Sequence, residues 1–266
     1  MNKDSITIVD FNDCEARRMK KEGLGGVRGF VKTPKGIIYV VKPEHLNQTL
    51  NEVMAQIIIK AIGLDSIEYA FIKMNDCYYG ALLYIDGLTL ITNKKYKSLN
   101  KQQKIDFLKH LFLNTFLTNE DLSGEIYLTK EDKIVSLDYG EAGISVPLLN
   151  LDKRNEEEKN ILMSRLLKKT EPSYIMNYLR AYIGIVKKKY LDEIVCVDDL
   201  KGIVLSMLNS IADTDYSEYK TFLKTLMELH SELHACIYQE HLNGLIYAAN
   251  DIRNNLDNIW EDMPAE

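Results

Sequence analysis

Two hydrophobic rhythms divide the chain. In roughly the first third, apolar residues come in short runs rich in Val, Ile, Tyr and Phe, broken by Gly, Pro, Asn and Asp. That is the pattern of strands joined by turns. Ser5–Phe11 alternates and reads as an opening strand, and the charged segment Asp13–Glu22 reads as helical. Phe30–Thr33 and Gly36–Lys42 read as two strands around Pro34-Lys35-Gly36, the second stopped by Pro43. Tyr69–Lys73 and Cys77–Ile85 form a further pair around Met74-Asn75-Asp76, before Asp86-Gly87 ends the pattern. One helix interrupts them. Over Leu50–Ile62, Val53, Ile57 and Ala61 make one stripe and Leu50, Met54, Ile58 and Ile62 an adjoining one. Gly63 is its C-cap and Glu52 lies in its first turn.

After Lys95 the period lengthens to that of helices. Asn100–Leu117 starts on an Asn cap and places Ile105, Leu108, Leu111, Phe112 and Phe116 on one face. A hairpin follows: strand Ile126–Thr129, turn Lys130–Lys133, strand Ile134–Leu137, then Asp138-Tyr139-Gly140. Beyond Asn155 the pattern predicts helices at Glu156–Lys168, Pro172–Tyr190, Val197–Ala212, Ser217–Ile237 and Leu242–Trp260. The expectation is an α+β protein. Residues 1–86 form an antiparallel β unit with one helix, and residues 87–266 a mostly helical unit that carries the hairpin.

Composition narrows the picture. Apolar content of 46% and charged content of 27% are ordinary for a soluble globule. A net charge of −6 argues against a broad nucleic-acid surface. No stretch reaches the ~18 uninterrupted apolar residues of a membrane span, and MNKDSITIVDF lacks a signal-peptide run. The expected location is the cytoplasm, with export by a route that reads no N-terminal signal left open. Cys14, Cys77, Cys196 and Cys236 are far apart without a C-x-x-C pair and read as reduced thiols. His230 and His234 have zinc-ligand spacing, but Ser231 stands where a metalloprotease helix has Glu, so packed or surface histidines are the better reading.

The chemistry-bearing residues fall in one order. Gly23–Gly29 holds four glycines in seven residues, which lets backbone N–H groups approach phosphate oxygens. A strand then ends in Lys42, whose charge can neutralise phosphates, and a helix carboxylate at Glu52 can hold that lysine. The hairpin brings Asp121 and Asp138, 17 positions apart, to one side of a sheet. Two converging carboxylates can hold a hard divalent cation against phosphate.

These residues resemble the HipA-like and phosphatidylinositol 3/4-kinase-like branch of the protein-kinase superfamily, with compact bacterial CtkA-type serine/threonine kinases as the nearest likeness. The likeness rests on Leu24-Gly25-Gly26-Val27-Arg28-Gly29, Val41-Lys42-Pro43, Asn51-Glu52-Val53-Met54-Ala55, Asn119-Glu120-Asp121 and Leu137-Asp138-Tyr139-Gly140. It implies a two-lobed kinase-like fold, with ATP and Mg²⁺ between the lobes and a protein Ser/Thr hydroxyl as acceptor. Gly25, Gly26 and Val27 would line the phosphate loop, and Lys42 would contact the phosphates with Glu52 as its partner. Tyr84, Ile85 and Asp86 would lie in the hinge beside adenine. Asp121 would be the catalytic-loop aspartate, with Glu120 the alternative register, and Asp138 a Mg²⁺ ligand. The sequence departs from the pattern in the catalytic loop. Ser123 stands where the branch has His, and Glu125 where it has the second metal ligand Asn. Two alternatives keep the fold: a pseudokinase that binds without turnover, and a transferase acting on a lipid or small molecule or moving AMP.

Overall fold

The computed structural model describes residues 6–18, 29–41, 46–74, 77–118, 125–139 and 155–261. Six strands form the first sheet: β1 (Ile8–Asp10), β2 (Glu15–Arg18), β3 (Gly29–Lys32), β4 (Ile38–Val41), β5 (Tyr69–Met74) and β6 (Cys77–Leu83). Their order is β1-β5-β6-β4-β3-β2, antiparallel except for the β1–β5 pair. The helix expected over Asp13–Glu22 does not form in its described part. Phe11–Asp13 is a single 3-10 turn, and Glu15–Arg18 is an edge strand on β3 with Glu15 opposite Lys32. A charged strand suits an edge, where it discourages pairing with other chains.

Helix α1 (Leu46–Ala61) begins at Leu46 rather than Leu50, so Glu52 lies in its second turn, not its first. Every residue from Thr49 to Ile59 is buried. A helix enclosed on all sides needs a covering layer on each side. Strand β6 supplies one, packed so closely that a Cβ at Gly80 would stand 2.7 Å from the Thr49 carbonyl oxygen.

The second part opens with β7 (Thr89–Leu90) and the short α2 (Asn93–Tyr96), neither visible in the hydrophobic pattern. Helix α3 (Lys101–Phe116) has the expected cap: the Asn100 side chain accepts from the Gln103 N–H, and the Gln103 side chain accepts from the Asn100 N–H. The hairpin is β8 (Glu125–Leu128) and β9 (Ile134–Leu137), and with β7 it makes a three-stranded sheet. Helices α4 (Glu156–Lys169), α5 (Pro172–Lys189), α6 (Val197–Asp213), α7 (Ser217–Leu229), α8 (Glu232–Asn254) and α9 (Leu256–Glu261) follow. The expected break near residues 238–241 is absent. It lies instead at His230-Ser231, where the Ser231 hydroxyl accepts from the His234 N–H and starts α8. Tyr238 and His241 carry no breaker chemistry and are buried within α8.

The outer layer over α1 comes from α7 and α8. One continuous core includes Leu50, Val53 and Ile57 of α1, Phe112 and Phe116 of α3, and Phe222 and Tyr238 of α7 and α8. Phe71 of β5 stacks on Phe222. The Tyr238 hydroxyl donates to Asn51 Oδ1 at 2.9 Å, and Tyr69 and Lys60 both donate to Glu218. Trp260 packs partly buried against the same core. Among the described residues no helix is long and apolar enough to cross a membrane.

Candidate functional site

The register of β8 on β9 pairs Glu125 with Leu137. Glu125 and Asp138 therefore stand at the same end of the hairpin. The Tyr127 hydroxyl, on the same face of β8 two residues along, donates to Glu125 Oε2 at 2.7 Å. Asp138 adopts φ +66°, outside the strand conformation of its neighbours. Thr118, 2% exposed at the end of α3, adopts φ +51°. For a β-branched residue that is an outlier, and backbone held this way costs ~1–3 kcal/mol. The two strained residues border the segments 119–124 and 140–154.

The hairpin meets the end of β6. Leu83, Ile85 and Leu88 pack with Tyr127 and Leu137 around Ile67, Leu82 and Val135. Ile85 thus packs on the same small cluster as Leu137, the residue before Asp138. Tyr84 is exposed, its ring edge-on to Phe30 with centroids 5.3 Å apart. Asp86 points outward, where it accepts from Lys130 Nζ of the hairpin turn at 2.7 Å. This hydrogen bond and the lysine charge lower the Asp86 carboxyl from its ordinary value. The pair is exposed and contributes little to stability.

Behind the hairpin lies a buried polar chain that the sequence reading did not single out. The Tyr139 hydroxyl is 2.5 Å from Ser136 Oγ, and Ser136 Oγ is 2.8 Å from His110 Nδ1. Gln56 Nε2 donates to the Ser136 carbonyl at 2.9 Å, and Gln56 Oε1 accepts from the Ile67 N–H at 2.8 Å. Gln56, His110, Ser136 and Tyr139 are each at most 1% exposed. Burial holds the Tyr139 phenol well above its ordinary value; the Ser136 hydrogen bond opposes this and the nearby Glu52 carboxylate adds to it. Glu52 is itself buried, so α1 brings its carboxylate to the residue that follows Asp138. A signal was available: Gln56 lies one turn after Glu52, and Ser136 is a lone polar residue in the apolar run Ile134–Leu137.

Of the residues predicted from sequence, Gly25, Gly26, Val27, Lys42 and Asp121 lie outside the described residues, as do Glu120 and Ser123. Val41, the last residue of β4, is buried and opposite Ala81. His230 and His234 do not share a helix face, because the α7–α8 break separates them, and their rings are 6.0 Å apart. Of the two readings, packed or surface, His234 and His241 take the packed one, since both are buried. Among the described residues no group of three or more His, Cys, Asp or Glu gathers as a metal site.

By sequence the chain matches no protein-family model and no curated protein. By structure it is similar to the Helicobacter pylori proinflammatory kinase CtkA, with a TM-score of 0.54 and 14% identity over 94% of this chain and 98% of that one. The fold is kinase-like. In this kinase-like fold the six-stranded sheet with α1 is one lobe and the helical part with the β8–β9 hairpin is the other. Glu125 and Asp138, at the same end of the hairpin, each carry hard oxygen donors of the kind that suits Mg²⁺, which binds through one or two carboxylates and completes its shell with phosphate and water.

Proposed function

We propose that the protein is an ATP- and Mg²⁺-dependent phosphotransferase of the HipA-like kinase type, acting on a Ser/Thr hydroxyl of a protein. The observation that carries this reading is the end of the hairpin. Glu125 and Asp138 lie at the same end of it, Asp138 is held in a left-handed conformation, and Leu137 and Ile85 pack on the same small cluster of Ile67, Leu82 and Val135. Glu52 would hold Lys42 on the phosphates, Gly25, Gly26 and Val27 would cradle them, and Tyr84, Ile85 and Asp86 would border the base. Asp121 would orient the attacking hydroxyl. Mg²⁺, when bound by Asp138 and Glu125, would offset the charge on the phosphate oxygens. The protein's part is positioning and charge neutralisation.

The test uses ATP labelled at the γ- or the α-phosphate, with casein as a generic Ser/Thr acceptor. Incorporation of γ-label that is lost in Asp138→Ala, with the variant still folded by circular dichroism, supports the kinase reading. Incorporation of α-label instead means AMP transfer. A nucleotide-dependent thermal shift with neither label transferred means a pseudokinase, the reading that Ser123 and Glu125 favour. Full activity in Asp138→Ala rejects the metal assignment.

A further inference from the structure

Asp138 is held in a costly backbone conformation, and what holds it is visible on its C-terminal side. Tyr139 is wholly buried, and a phenol in a core needs a partner for its hydroxyl. Packing alone would be served by a phenylalanine. Here the hydroxyl reaches back three residues to Ser136 Oγ, closing a loop across Leu137 and Asp138. Ser136 is in turn fixed from two helices: its hydroxyl faces His110 Nδ1 of α3, and its carbonyl accepts from Gln56 of α1. Gln56 is anchored by the Ile67 N–H. The segment that delivers Asp138 is therefore tied to both lobes by directional bonds with narrow geometric tolerance. Among the described residues His110 Nε2 is buried without a hydrogen-bond partner, but the bonds through Ser136, Tyr139 and Gln56 still fix the turn more narrowly than apolar packing alone would.

Resting on the phosphotransferase reading, we propose that Tyr139, Ser136, His110 and Gln56 are positioning residues that hold the Asp138 carboxylate in its metal-binding geometry and couple it to the helix carrying Glu52. The hydroxyl chain runs from Tyr139 through Ser136 to the imidazole or in reverse; a neutral His110 accommodates both directions. Glu52 and Gln56 lie one turn apart on α1, so a displacement of α1 that withdraws Glu52 also pulls on Ser136. The acidic residue at the hairpin end and the acidic residue on the helix then move as one unit.

The variants are Tyr139→Phe and Ser136→Ala, with Tyr182→Phe as a stability-matched control. Tyr182 is also fully buried and donates its hydroxyl to the Leu108 carbonyl, so its truncation removes one buried hydrogen bond elsewhere. Two readouts are needed. Backbone amide exchange at Asp138 and Tyr139, followed by NMR, is expected to quicken in the two network variants by more than their loss of global stability accounts for, and not in the control. The affinity for a non-hydrolysable ATP analogue, measured with and without Mg²⁺, is expected to lose roughly tenfold or more of its Mg²⁺-dependent tightening in the same two variants, as when a support of a metal ligand is removed. Unchanged exchange at Asp138 and Tyr139, or tightening equal to wild type, overturns the positioning role. A wild-type protein that binds the analogue with no Mg²⁺ dependence sinks the phosphotransferase reading instead, and the exchange measurement still decides whether the network holds the turn.

Discussion

Like His230, whose imidazole is also lowered to about 4 by burial, His110 and His241 weaken the protein in acid. Both are fully enclosed, and burial lowers each imidazole from 6.5 to about 4; Lys169 near His241 and Lys109 near His110 push in the same direction. The folded state keeps them neutral, whereas the unfolded chain takes up protons below its own value near 6.5. Their contribution is complete above that pH and is lost as the pH falls towards 4, at ~3 kcal/mol for each by linkage. Urea midpoints measured from pH 7 to pH 4 should fall steeply, and the two imidazole resonances of the folded protein should not titrate above pH 5. A folded-state titration near 6.5 would refute this. Lys104 offers a second test. Its ammonium, 1% exposed, lies 2.6 Å from Asp192 Oδ2 and over the Tyr96 ring, while Asp192 also accepts from the Ile194 and Val195 N–H groups. Because the Asp192 side chain is a third exposed and can recover water, Lys104→Met should cost roughly 2 kcal/mol in urea unfolding, less than the ~3–5 of a fully buried pair.

At the scale of elements, α1 depends most on contacts far away in sequence. Gly80→Ala would drive a Cβ into the Thr49 carbonyl, so strand and helix must separate, at a cost of ~1–3 kcal/mol. Gly184→Ala in α5 meets nothing within 4 Å and should gain up to ~1 kcal/mol from helix propensity. Differential scanning calorimetry on the pair separates close packing from propensity. The same helix shows what its own residues could and could not reveal. Its apolar stripes were legible because Val53, Ile57 and Ala61 recur at helical spacing. Its true start at Leu46 was not: Leu46 continues the Leu50 stripe by a single residue, and the polar run Asn47-Gln48-Thr49 between them reads as a loop. Strand β2 was hidden for a related reason: Glu15-Ala16-Arg17-Arg18 has no alternation of its own and becomes a strand only because Gly29–Lys32 offers a ladder. The hairpin was the most legible part of the site, because β-branched runs flank a polar turn. The bonds behind it were not, because the Ser136 carbonyl and the Gln56 amide meet only after 80 residues of chain have folded.

For the molecule as a whole, the main core is shared between the lobes, and the six-stranded sheet keeps only a small cluster of its own around Val31, Tyr39, Ala70 and Ile72. Leu50, Val53, Ile57 and Phe71 belong to the same apolar cluster as Phe222, Tyr238 and Leu245. The Asn51 side chain is satisfied by Tyr238, and Tyr69 by Glu218, across separations of 187 and 149 residues. Cutting the chain after residue 86 would leave α1 with one face open to water. It would also take from a buried asparagine its bond to Tyr238, in a unit already small enough to be marginal. The fragment 1–86 is therefore expected to show no cooperative urea transition and little amide dispersion by NMR. The intact chain should unfold in one step, with fluorescence of its single tryptophan, Trp260, and far-ultraviolet circular dichroism superimposable. A fragment that folds alone, or two transitions in the full chain, would mean that α1 can keep its place without α7 and α8. The Glu52 helix would then be free to move against the helical lobe, and its coupling to Asp138 would rest on Gln56 and Ser136 alone.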